Sequence, residues 1–287
     1  MKILVLGAAG MLGRALERVH AEEGRHELAE RDIAACDILD EVSVRSTLAA
    51  TRPAAVFLCA AWTDVDGAEA DPAGALRVNG DGTRNVARAC AGSGAALVYL
   101  STDYVFDGEK PTPYLEEDPP APINAYGRSK LAGERHVREA GDRHLVVRTS
   151  WLFGPEGKHF VDAILARAKS GAPLRVVTDQ VGAPTYTIDL ARALFRLTEA
   201  GARGVVNATN AGACSWHQFA ERIVARAGLA VPVERITSQE LARPARRPRN
   251  SRLDGRRLRA LGVAMPSWED ALERYLRERD AGPGGGR

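Results

Sequence analysis

The chain has 287 residues, of which 45% are apolar and 26% charged, and its formal net charge is +2. This composition excludes a disordered or fibrous chain, and the length suits one large α/β domain or such a domain with a smaller lobe. The near-neutral charge argues against a dedicated nucleic-acid binder.

The first twenty residues, MKILVLGAAGMLGRALERVH, predict a strand, a tight turn and a helix. The strand covers Lys2 to Leu6, and Gly7, Gly10 and Gly13 follow at a G-x-x-G-x-x-G spacing. Such glycines allow the turn, let the backbone approach a pyrophosphate and let the helix pack closely on the strand. The pattern therefore predicts a dinucleotide-binding unit. A lysine before an apolar run also resembles a secretory signal, but the glycines and the charges that follow argue against one.

Short apolar runs recur along the first half and alternate with helical stretches, as repeated βαβ units require. They are HELAE (26–30), AAVFLCAA (54–61), AALVYLS (95–101) and HLVVRTS (144–150). Asp71 and Pro72 make a good N-cap and first residue for a helix that runs toward Cys90. The sequence thus predicts an α/β fold with a Rossmann-type, doubly wound parallel sheet, whose ligands bind beyond the carboxyl ends of the strands.

The segment NAYGRSKLAGE (124–134) places Tyr126 and Lys130 four residues apart on one face of a predicted helix. Taken alone, such a pair often lies on a solvated surface. The segment has few large apolar side chains, however, so it makes a poor core helix and leaves space for a ligand. A loop with five prolines (107–123) precedes it and is long enough to be functional and to cover that ligand.

The second half predicts a smaller C-terminal substrate-binding lobe. We expect residues 1–150 to form the dinucleotide-binding domain, rejoined by about 185–209, which holds a helix and the strand GVVNAT. Residues 151–184 and 210–280 would form the lobe, and 281–287 a flexible tail. Ser267 with Asp270 predicts a capping box for the last helix.

Four cysteines without a C-x-x-C pair fit free thiols in a reduced, cytoplasmic protein. The histidines lack metal-ligand spacing, so a catalytic zinc has little support. No apolar run reaches the roughly 18 residues that cross a bilayer, so we expect no membrane partner. The basic stretch RPARRPRNSRLDGRRLR (243–259) contains prolines that interrupt a groove-reading helix, so we expect a solvated loop and no nucleic-acid partner.

Together, the glycine triplet and several further segments resemble the extended short-chain dehydrogenase/reductase family. Those segments are AAWTDVDGAE, LSTDYVFDG, PPAPINAYGRSKLAGE, RTSWLFG, DQVGAPT, SWHQFAERI and RPRNSRLD. The similarity covers nearly the whole chain, and more narrowly it is to reductases of nucleotide-linked keto sugars. It implies NADPH-dependent reduction of the 4-keto group of dTDP-4-dehydro-6-deoxy-L-mannose to dTDP-L-rhamnose, a step in the biosynthesis of cell-surface polysaccharide.

The resemblance implies three catalytic residues. Tyr126 would protonate the carbonyl oxygen of the sugar while the nicotinamide delivers hydride to the carbon. Lys130, charged and one helical turn away, would lower the pKa of Tyr126 from its free value near 10 and hydrogen-bond the nicotinamide ribose. Thr102, at the end of the fourth strand, would share the hydrogen bond to the carbonyl oxygen. Without the resemblance, a hydroxyl at a strand end would be expected to satisfy backbone groups.

The resemblance also implies residues that bind the cofactor and the substrate. The cofactor residues, besides Tyr126 and Lys130, are Gly7, Gly10, Met11, Leu12, Gly13, Asp37, Ile38, Ala60, Ala61 and Thr63. The substrate residues, besides Thr102, are Val65, Asp103, Trp151, Gln180 and Arg252. Arg252 would meet the substrate diphosphate. For Trp151, contact with the deoxysugar and plain core filling are equally good interpretations.

The end of the second strand leaves the cofactor open between NADPH and NADH. An acid there, Glu30 or Asp32, would bind the ribose hydroxyl of NAD, whereas Arg31 would pair with the 2′-phosphate of NADP. We expect NADPH, because Arg31 is available and a biosynthetic reduction fits it.

Some family members are dimers bridged by magnesium through glutamates on the first and last helices. Here the first helix begins Arg14, Ala15, Leu16, Glu17, which departs from that pattern. A homodimer and a magnesium ion are therefore expected from resemblance alone, and we assign no metal ligand.

Other functions remain open. Sugar-nucleotide dehydratases have Thr-Asp-Glu where this chain has Thr102, Asp103 and Tyr104, so the glutamate needed for elimination of water is missing. Another keto-sugar reductase or an epimerase stays possible. A non-catalytic, NADP-binding regulatory subunit of S-adenosylmethionine synthetase also resembles this family, so cofactor binding does not establish turnover. The intact Thr102, Tyr126 and Lys130 favour the enzyme.

Overall fold

The structure, a computed structural model, describes residues 1–281, and the elements below lie in that range. The strands are β1 (Lys2–Leu6), β2 (Glu27–Arg31), β3 (Ala55–Leu58), β4 (Ala96–Thr102), β5 (Leu145–Thr149), β6 (Leu152–Phe153), β7 (Leu174–Val177), β8 (Val181–Gly182), β9 (Thr185–Tyr186), β10 (Gly204–Asn207), β11 (Cys214–Ser215) and β12 (Val233–Ile236). The predicted tail, 281–287, lies outside the described residues except for Ala281.

The α-helices follow the same numbering in chain order. They are α1 (Met11–Glu23), α2 (Glu41–Thr51), α3 (Val65–Ala70), α4 (Pro72–Leu76), α5 (Thr83–Ser93), α6 (Ala125–Glu139), α7 (Phe160–Lys169), α8 (Thr187–Glu199), α9 (Trp216–Arg226), α10 (Ser238–Leu241), α11 (Arg256–Ala260) and α12 (Trp268–Ala281). A π-helical segment (Arg77–Gly82) joins α4 to α5, and a 3-10 turn (Asp103–Val105) follows β4. Within residues 1–281, every helix is too short or too polar to span a bilayer.

Six strands form the central sheet in the order β10-β5-β4-β3-β1-β2, and each neighbouring pair is parallel. The chain leaves β1 toward β2 on one side and toward β3 on the other, so the predicted doubly wound, Rossmann-type sheet is confirmed. β3 and β5 are buried along their whole length because helices cover both faces. That is why these strands are continuous apolar runs in the sequence.

Alternate residues of β1 point into two different apolar cores. Ile3 and Val5 pack in the core that also contains Leu16 of α1 and Leu194 of α8. Leu4 packs in the other core, with residues of α2 and α5. Burial of each such side chain contributes about 1.5–3 kcal/mol, so the two cores hold helices on both faces of the sheet.

The C-terminal part adds small sheets and helices beside the first core. Its strand pairs are β11 with β8, β12 with β7, and β6 with β9. Phe153, Phe219 and Tyr275 pack in the same apolar core as β1, so this part shares its core with the central sheet. The C-terminal part is therefore joined to the central sheet by one continuous apolar core.

Side-chain caps fix where several helices begin. Asp71 Oδ1 accepts a hydrogen bond from Gly74 N at 2.8 Å and Pro72 is the first residue of α4, as predicted. Asp270 N donates to Ser267 Oγ at 3.2 Å, which is one half of the predicted capping box. The single helix predicted to run toward Cys90 is instead α4, the π-helical segment and α5 in succession.

Candidate active site

Most of the predicted site residues lie just beyond the carboxyl ends of four neighbouring strands. Because these strands are parallel, their ends meet at one edge of the sheet. The residues brought there are Gly7 and Gly10 after β1, Ala60, Ala61 and Thr63 after β3, Thr102 and Asp103 at the end of β4, and Trp151 after β5. Val65 begins α3, directly after the β3 loop, and Tyr126 is the second residue of α6.

The turn after β1 is built for the close approach of a phosphate. Gly7 has a φ of +84°, and a Cβ there would lie 2.5 Å from Ala60 N. A Cβ on Gly13 would lie 2.4 Å from Ala8 O, so only glycine lets α1 pack on this turn. Gly10 caps α1 without a side-chain hydrogen bond, which leaves the first N–H groups of the helix for an anion. These residues fit the pyrophosphate of a dinucleotide.

At the end of β2, Glu30 and Arg31 point to opposite faces because strand side chains alternate. Burial raises the pKa of Glu30, and its Oε1 is a buried atom without a hydrogen-bond partner in the described part of the chain. Arg31 Nη1 donates to Glu30 O at 2.7 Å. Beyond the strand, Asp37 Oδ1 accepts from Leu39 N at 2.9 Å, and Ile38 is buried against Gly82. The expected contact of Arg31 with a cofactor phosphate stays a prediction.

Helix α6 lies close to the end of β4 because glycine occurs at its contact points. Asn124 Oδ1 caps the helix by accepting from Gly127 N at 2.8 Å. A Cβ on Gly127 would lie 2.1 Å from Tyr104 O. A Cβ on Gly133 would lie 2.3 Å from Tyr99 Oη. The scarcity of large apolar residues in this segment thus reflects close packing of α6 on β4 and the turn after it.

Tyr126, Thr102 and Asp103 form a connected polar group. Thr102 Oγ1 donates to Asp103 Oδ1 at 3.0 Å and accepts from Tyr104 N at 3.2 Å. Burial raises the pKa of Tyr126 to about 12, although a hydrogen bond with Thr102 acts in the opposite direction. Burial also raises the pKa of Asp103 to about 7, and its Oδ2 is a buried atom without a partner in residues 1–281.

Lys130 is 3% exposed, and its Nζ lies 4.3 Å from the centre of the Tyr99 ring. Burial lowers the pKa of Lys130 to about 7, while the charges of Glu134 and Cys59 act to raise it. At neutral pH, only part of the Lys130 population therefore carries a charge. Burial is the main cause of the raised pKa of Tyr126, and the expectation that Lys130 lowers that pKa stays a prediction.

A cavity of about 330 Å³ lies on the substrate side, beside Tyr104. Its lining combines aromatic, aliphatic and basic side chains: Tyr104, Phe160, Ile164, Arg175, Val176, Val177, Gln180, Trp216, Leu241, Arg243 and Arg247. Of the predicted substrate residues, Gln180 lines this cavity directly. Trp151 stacks on Trp216, with ring centres 3.5 Å apart.

Trp151 has an unusual backbone conformation, with a φ of +49°. Its carbonyl oxygen accepts a hydrogen bond from Thr185 N at 3.1 Å, which holds the strained residue in place. A Cβ on Gly182 would lie 2.5 Å from the indole, so glycine there makes room for the ring. The indole is thus held in one orientation between Gly182 and Trp216.

Arg252 packs against the proline-rich loop (107–123). Its Nε donates to Asn250 Oδ1 at 2.7 Å, and its Nη2 donates to Pro111 O at 2.5 Å. Arg247, five residues earlier, lines the cavity and donates to both carboxylate oxygens of Asp66, at 2.7 and 2.8 Å. Of these two arginines, Arg247 is the one that faces the cavity.

The sequence model of one protein family, described as RmlD substrate binding domain, matches residues 1–280. The chain belongs to this family. It is 43% identical over 277 residues to a dTDP-4-dehydrorhamnose reductase of Streptomyces griseus, covering 94% of this chain and 91% of that one. It is 40% identical to a dTDP-4-keto-6-deoxy-D-glucose reductase of Streptomyces niveus, covering 94% of each.

A solved structure of the dTDP-4-dehydrorhamnose reductase from Bacillus anthracis str. Ames, in complex with NADP, has a TM-score of 0.92 and is 39% identical. The superposition covers 96% of this chain and 99% of that one. Because the superposition covers nearly all of both chains, the central sheet and the C-terminal part are arranged as in this member of the family.

The sequence analysis did not single out Asn79, a buried residue that connects two segments of the candidate site. Asn79 is 1% exposed, and its Nδ2 donates to Trp62 O at 3.0 Å and to Ser129 Oγ at 2.9 Å. Its Oδ1 accepts from Trp62 N at 2.9 Å. Asn79 thus ties the loop after β3 to α6, beside Lys130. The partners lie 17 and 50 residues away, so no local pattern reveals the contact.

The expectation of magnesium finds no support. Residues 1–281 contain no group of three or more His, Cys, Asp or Glu side chains that could hold a metal ion. On α1, Arg18 donates to Glu278 of α12 and to Glu22 at 3.0 Å, so these carboxylates are paired with arginine. The homodimer stays a prediction.

Proposed function

We propose that this protein uses NADPH to reduce the 4-keto group of dTDP-4-dehydro-6-deoxy-L-mannose, giving dTDP-L-rhamnose. The observation that carries the proposal is the placement of Tyr126, Lys130 and Thr102 beside a glycine turn that fits a dinucleotide. Relatives at about 40% identity that are named as reductases of dTDP-linked keto sugars support the substrate. The NADP complex of a structural neighbour and the position of Arg31 at the end of β2 support the cofactor.

In this mechanism, bound NADPH supplies the hydride. Tyr126 carries its proton at neutral pH because burial raises its pKa to about 12, so the phenol can donate that proton to the carbonyl oxygen of the sugar. When the sugar is bound, Thr102 Oγ1 helps hold that oxygen by donating to it in place of Asp103 Oδ1. The phenolate that remains on Tyr126 is stabilised by the ammonium of Lys130, one helical turn along α6.

We assign the sugar nucleotide to residues 151–184 and 210–280, and the cofactor to residues 1–150 and 185–209. The stacked pair of Trp151 and Trp216 offers an apolar surface for the deoxysugar. Arg247 lines the cavity with Arg175 and Arg243, and together they bring positive charge that suits the diphosphate. The cysteines of the described chain are free thiols, which fits the reducing cytoplasm.

A second substrate deserves a test because a relative of comparable identity is named dTDP-4-keto-6-deoxy-D-glucose reductase. The two keto sugars differ in stereochemistry, and discrimination between them depends on small differences in pocket contacts. Both should be supplied to the enzyme, each made by the appropriate upstream enzymes, and kcat/KM compared. We expect the higher value for the L-mannose derivative.

The decisive experiment follows NADPH oxidation by absorbance for wild type and Tyr126→Phe. We expect kcat to fall by about 10²–10⁴-fold in Tyr126→Phe, since the variant lacks the proton donor, while NADPH affinity stays within twofold. Tyr275→Phe is the matched control, because its phenol binds Asp162 outside this site, and it should keep wild-type kcat. Wild-type protein that binds NADPH but turns over neither sugar would instead favour the regulatory-subunit function.

A further inference from the structure

Three functional groups of α6 lie in one line along the helix. Tyr126, Lys130 and Glu134 are each four residues apart, so each lies about one turn, roughly 6 Å, beyond the previous one on the same face. Tyr126 and Lys130 belong to the site already described. Glu134 is the third residue of this line and is only 1% exposed.

Glu134 is anchored by three hydrogen bonds from the sheet. Arg148 donates from Nε to Oε1 at 2.9 Å and from Nη2 to Oε2 at 2.7 Å. Ser101 Oγ donates to Oε1 at 2.5 Å. Bidentate, charge-assisted bonds of this kind fix orientation as well as distance. The helix is therefore fastened to β4 and β5 at one point along its length.

The anchor lies directly beside the catalytic end of β4. Ser101 is the residue before Thr102, and it pairs in register with Arg148 on β5. Arg148 is 1% exposed, and its Nη1 also donates to Glu116 O at 3.2 Å, in the proline-rich loop. Helix, strand end and loop thus meet at a single buried guanidinium.

A buried ion pair is a poor choice for stability alone, because apolar residues of similar size often serve as well or better. Such a pair does specify one register, since any slip of the helix would leave a buried charge unpaired. On α6, a slip would move Tyr126 and Lys130 away from Thr102. The ion pair is therefore best explained by the need to hold α6 in one register against β4.

We propose that Glu134 is a positioning residue of the reductase: bound to Arg148 and Ser101, it fixes α6 so that Tyr126 lies beside Thr102 and Lys130 lies one turn farther along the helix. As a consequence, the carboxylate of Glu134, one turn from Lys130, favours the ammonium form of that lysine. The catalytic part of this inference rests on the proposed function. The electrostatic part concerns the protein alone and can be tested without substrate.

Several titratable groups face Lys130 from the elements around it. They are Glu134 on α6, Cys59 directly after β3 and Tyr99 on β4. Tyr126 lies one helical turn from Lys130, and Arg148 of β5 is bound to Glu134. Burial lowers the pKa of Lys130 to about 7, and Glu134 is the stronger of the two charges that oppose this effect. Replacing the Glu134 carboxylate by a neutral amide should lower that pKa further.

The first test is a pH titration of Lys130 by NMR in protein labelled with ¹³C-lysine. The chain has five lysines, so the Lys130 signal can be assigned with a Lys130→Met variant. We expect Glu134→Gln to shift the Lys130 titration to lower pH by about one unit. Glu139→Gln is the matched control on the same helix, because its exposed carboxylate pairs with His136, and it should not shift the titration.

The second test compares steady-state kinetics of the same two variants. For Glu134→Gln we expect kcat to fall at least about tenfold with the KM for NADPH and sugar within twofold, because binding is kept and alignment is lost. The alkaline limb of the kcat profile should also move to lower pH. Glu139→Gln should match wild type in all three measurements.

A folded Glu134→Gln protein with unchanged Lys130 titration and unchanged kcat would overturn the proposal and leave the pair a purely structural feature. If Glu134→Gln does not fold, Ser101→Ala replaces it, since it keeps the ion pair and removes one of the three bonds. It should lower kcat without raising KM, and unchanged kcat would again overturn the proposal. Wild-type protein inactive on both sugars would refute the proposed function, whereas the NMR titration would still decide the electrostatic part.

Discussion

In the candidate site, burial shifts the pKa values of Asp103 and Lys130 in the direction that favours the neutral form of each group. Burial raises the pKa of Asp103 to about 7 and lowers that of Lys130 to about 7, although the two groups normally titrate far apart. Neighbouring charges and hydrogen bonds act against burial at both residues but are weaker. A carboxyl and an amine of this site therefore titrate near neutral pH, which is where a proton-transfer site is most useful.

These values predict how reduction depends on pH. The reaction needs the ammonium form of Lys130, so kcat/KM, which reports the free enzyme, should fall as pH rises through about 7. Loss of the Asp103 proton in the same range adds a negative charge that raises the pKa of Tyr126, which makes the phenol a weaker acid. Both effects lower activity on the alkaline side.

The measurement is a kcat/KM profile between about pH 5 and pH 9 for wild type and Asp103→Asn. The decline should persist in Asp103→Asn if Lys130 is its main source. A wild-type profile that stays flat up to the alkaline end would contradict the lowered pKa of Lys130.

At the scale of the element, α6 depends on glycines where it touches β4 and the π-helical segment. A Cβ on Gly133 would lie 2.3 Å from Tyr99 Oη and 2.6 Å from Asn79 O. Neither neighbour is free to move, because Tyr99 Oη donates to Lys130 O and Asn79 O accepts from Thr83 Oγ1. The spacing of α6 from the sheet is therefore set by the absence of a side chain.

This close contact predicts opposite effects for two glycine-to-alanine changes. Gly133→Ala should destabilise the protein by about 1–3 kcal/mol, because the added methyl group overpacks a rigid contact. Gly92→Ala in α5, where nothing lies within 4 Å of the added Cβ, should stabilise it by up to about 1 kcal/mol. The free energy of unfolding from urea titration measures both. Equal stabilities for Gly133→Ala and wild type would show that α6 can move away from β4.

The sequence predicted the strands of the central sheet to within three residues at each end. Central parallel strands are covered on both faces, so they are apolar along their whole length and stand out locally. The π-helical segment was not predicted, because Asn79 reaches Trp62 and Ser129 through tertiary contacts that no short window contains. The positive φ of Trp151 was missed for the same reason.

For the candidate site, the rule that parallel strands end at one edge predicted that Thr102 and Trp151 would lie at that edge. Their roles came from resemblance. Among the arginines of 243–259, the sequence did not distinguish those that line the cavity, Arg243 and Arg247, from Arg252, because their positions depend on how a loop folds back. Resemblance favoured Arg252, whereas the structure places Arg247 in the cavity.

At the scale of the whole molecule, the segment 243–254 connects the C-terminal part to α3, α6 and the proline-rich loop. Arg247 binds Asp66 at the start of α3, and Asn124, the cap of α6, donates to Arg246 O at 2.8 Å. Farther on, Asn250 Nδ2 donates to Lys110 O in the proline-rich loop. The basic stretch, expected as a solvated loop, thus provides contacts from the C-terminal part to α3, α6 and the proline-rich loop.

Arg247 belongs to this segment and also lines the cavity, so its replacement should affect substrate binding more than cofactor binding. We predict that Arg247→Ala raises the KM for the dTDP-sugar by about tenfold or more, because a charge-assisted contact to the diphosphate is worth about 1.5–3 kcal/mol. The KM for NADPH should change less than twofold. Arg256→Ala is the matched control, since that arginine belongs to the same basic stretch but pairs with Asp254 in an exposed position.

Asp66→Asn separates the two roles of Arg247. The amide weakens the ion pair but leaves the guanidinium in the chain, so a loss of substrate affinity much smaller than in Arg247→Ala would indicate direct contact with the diphosphate. Equal losses in the two variants would indicate that Arg247 acts by holding the C-terminal part against α3. If Arg247→Ala behaves like Arg256→Ala, neither role is correct, and the diphosphate must be bound by other residues of the cavity, of which Arg175 and Arg243 carry the matching charge.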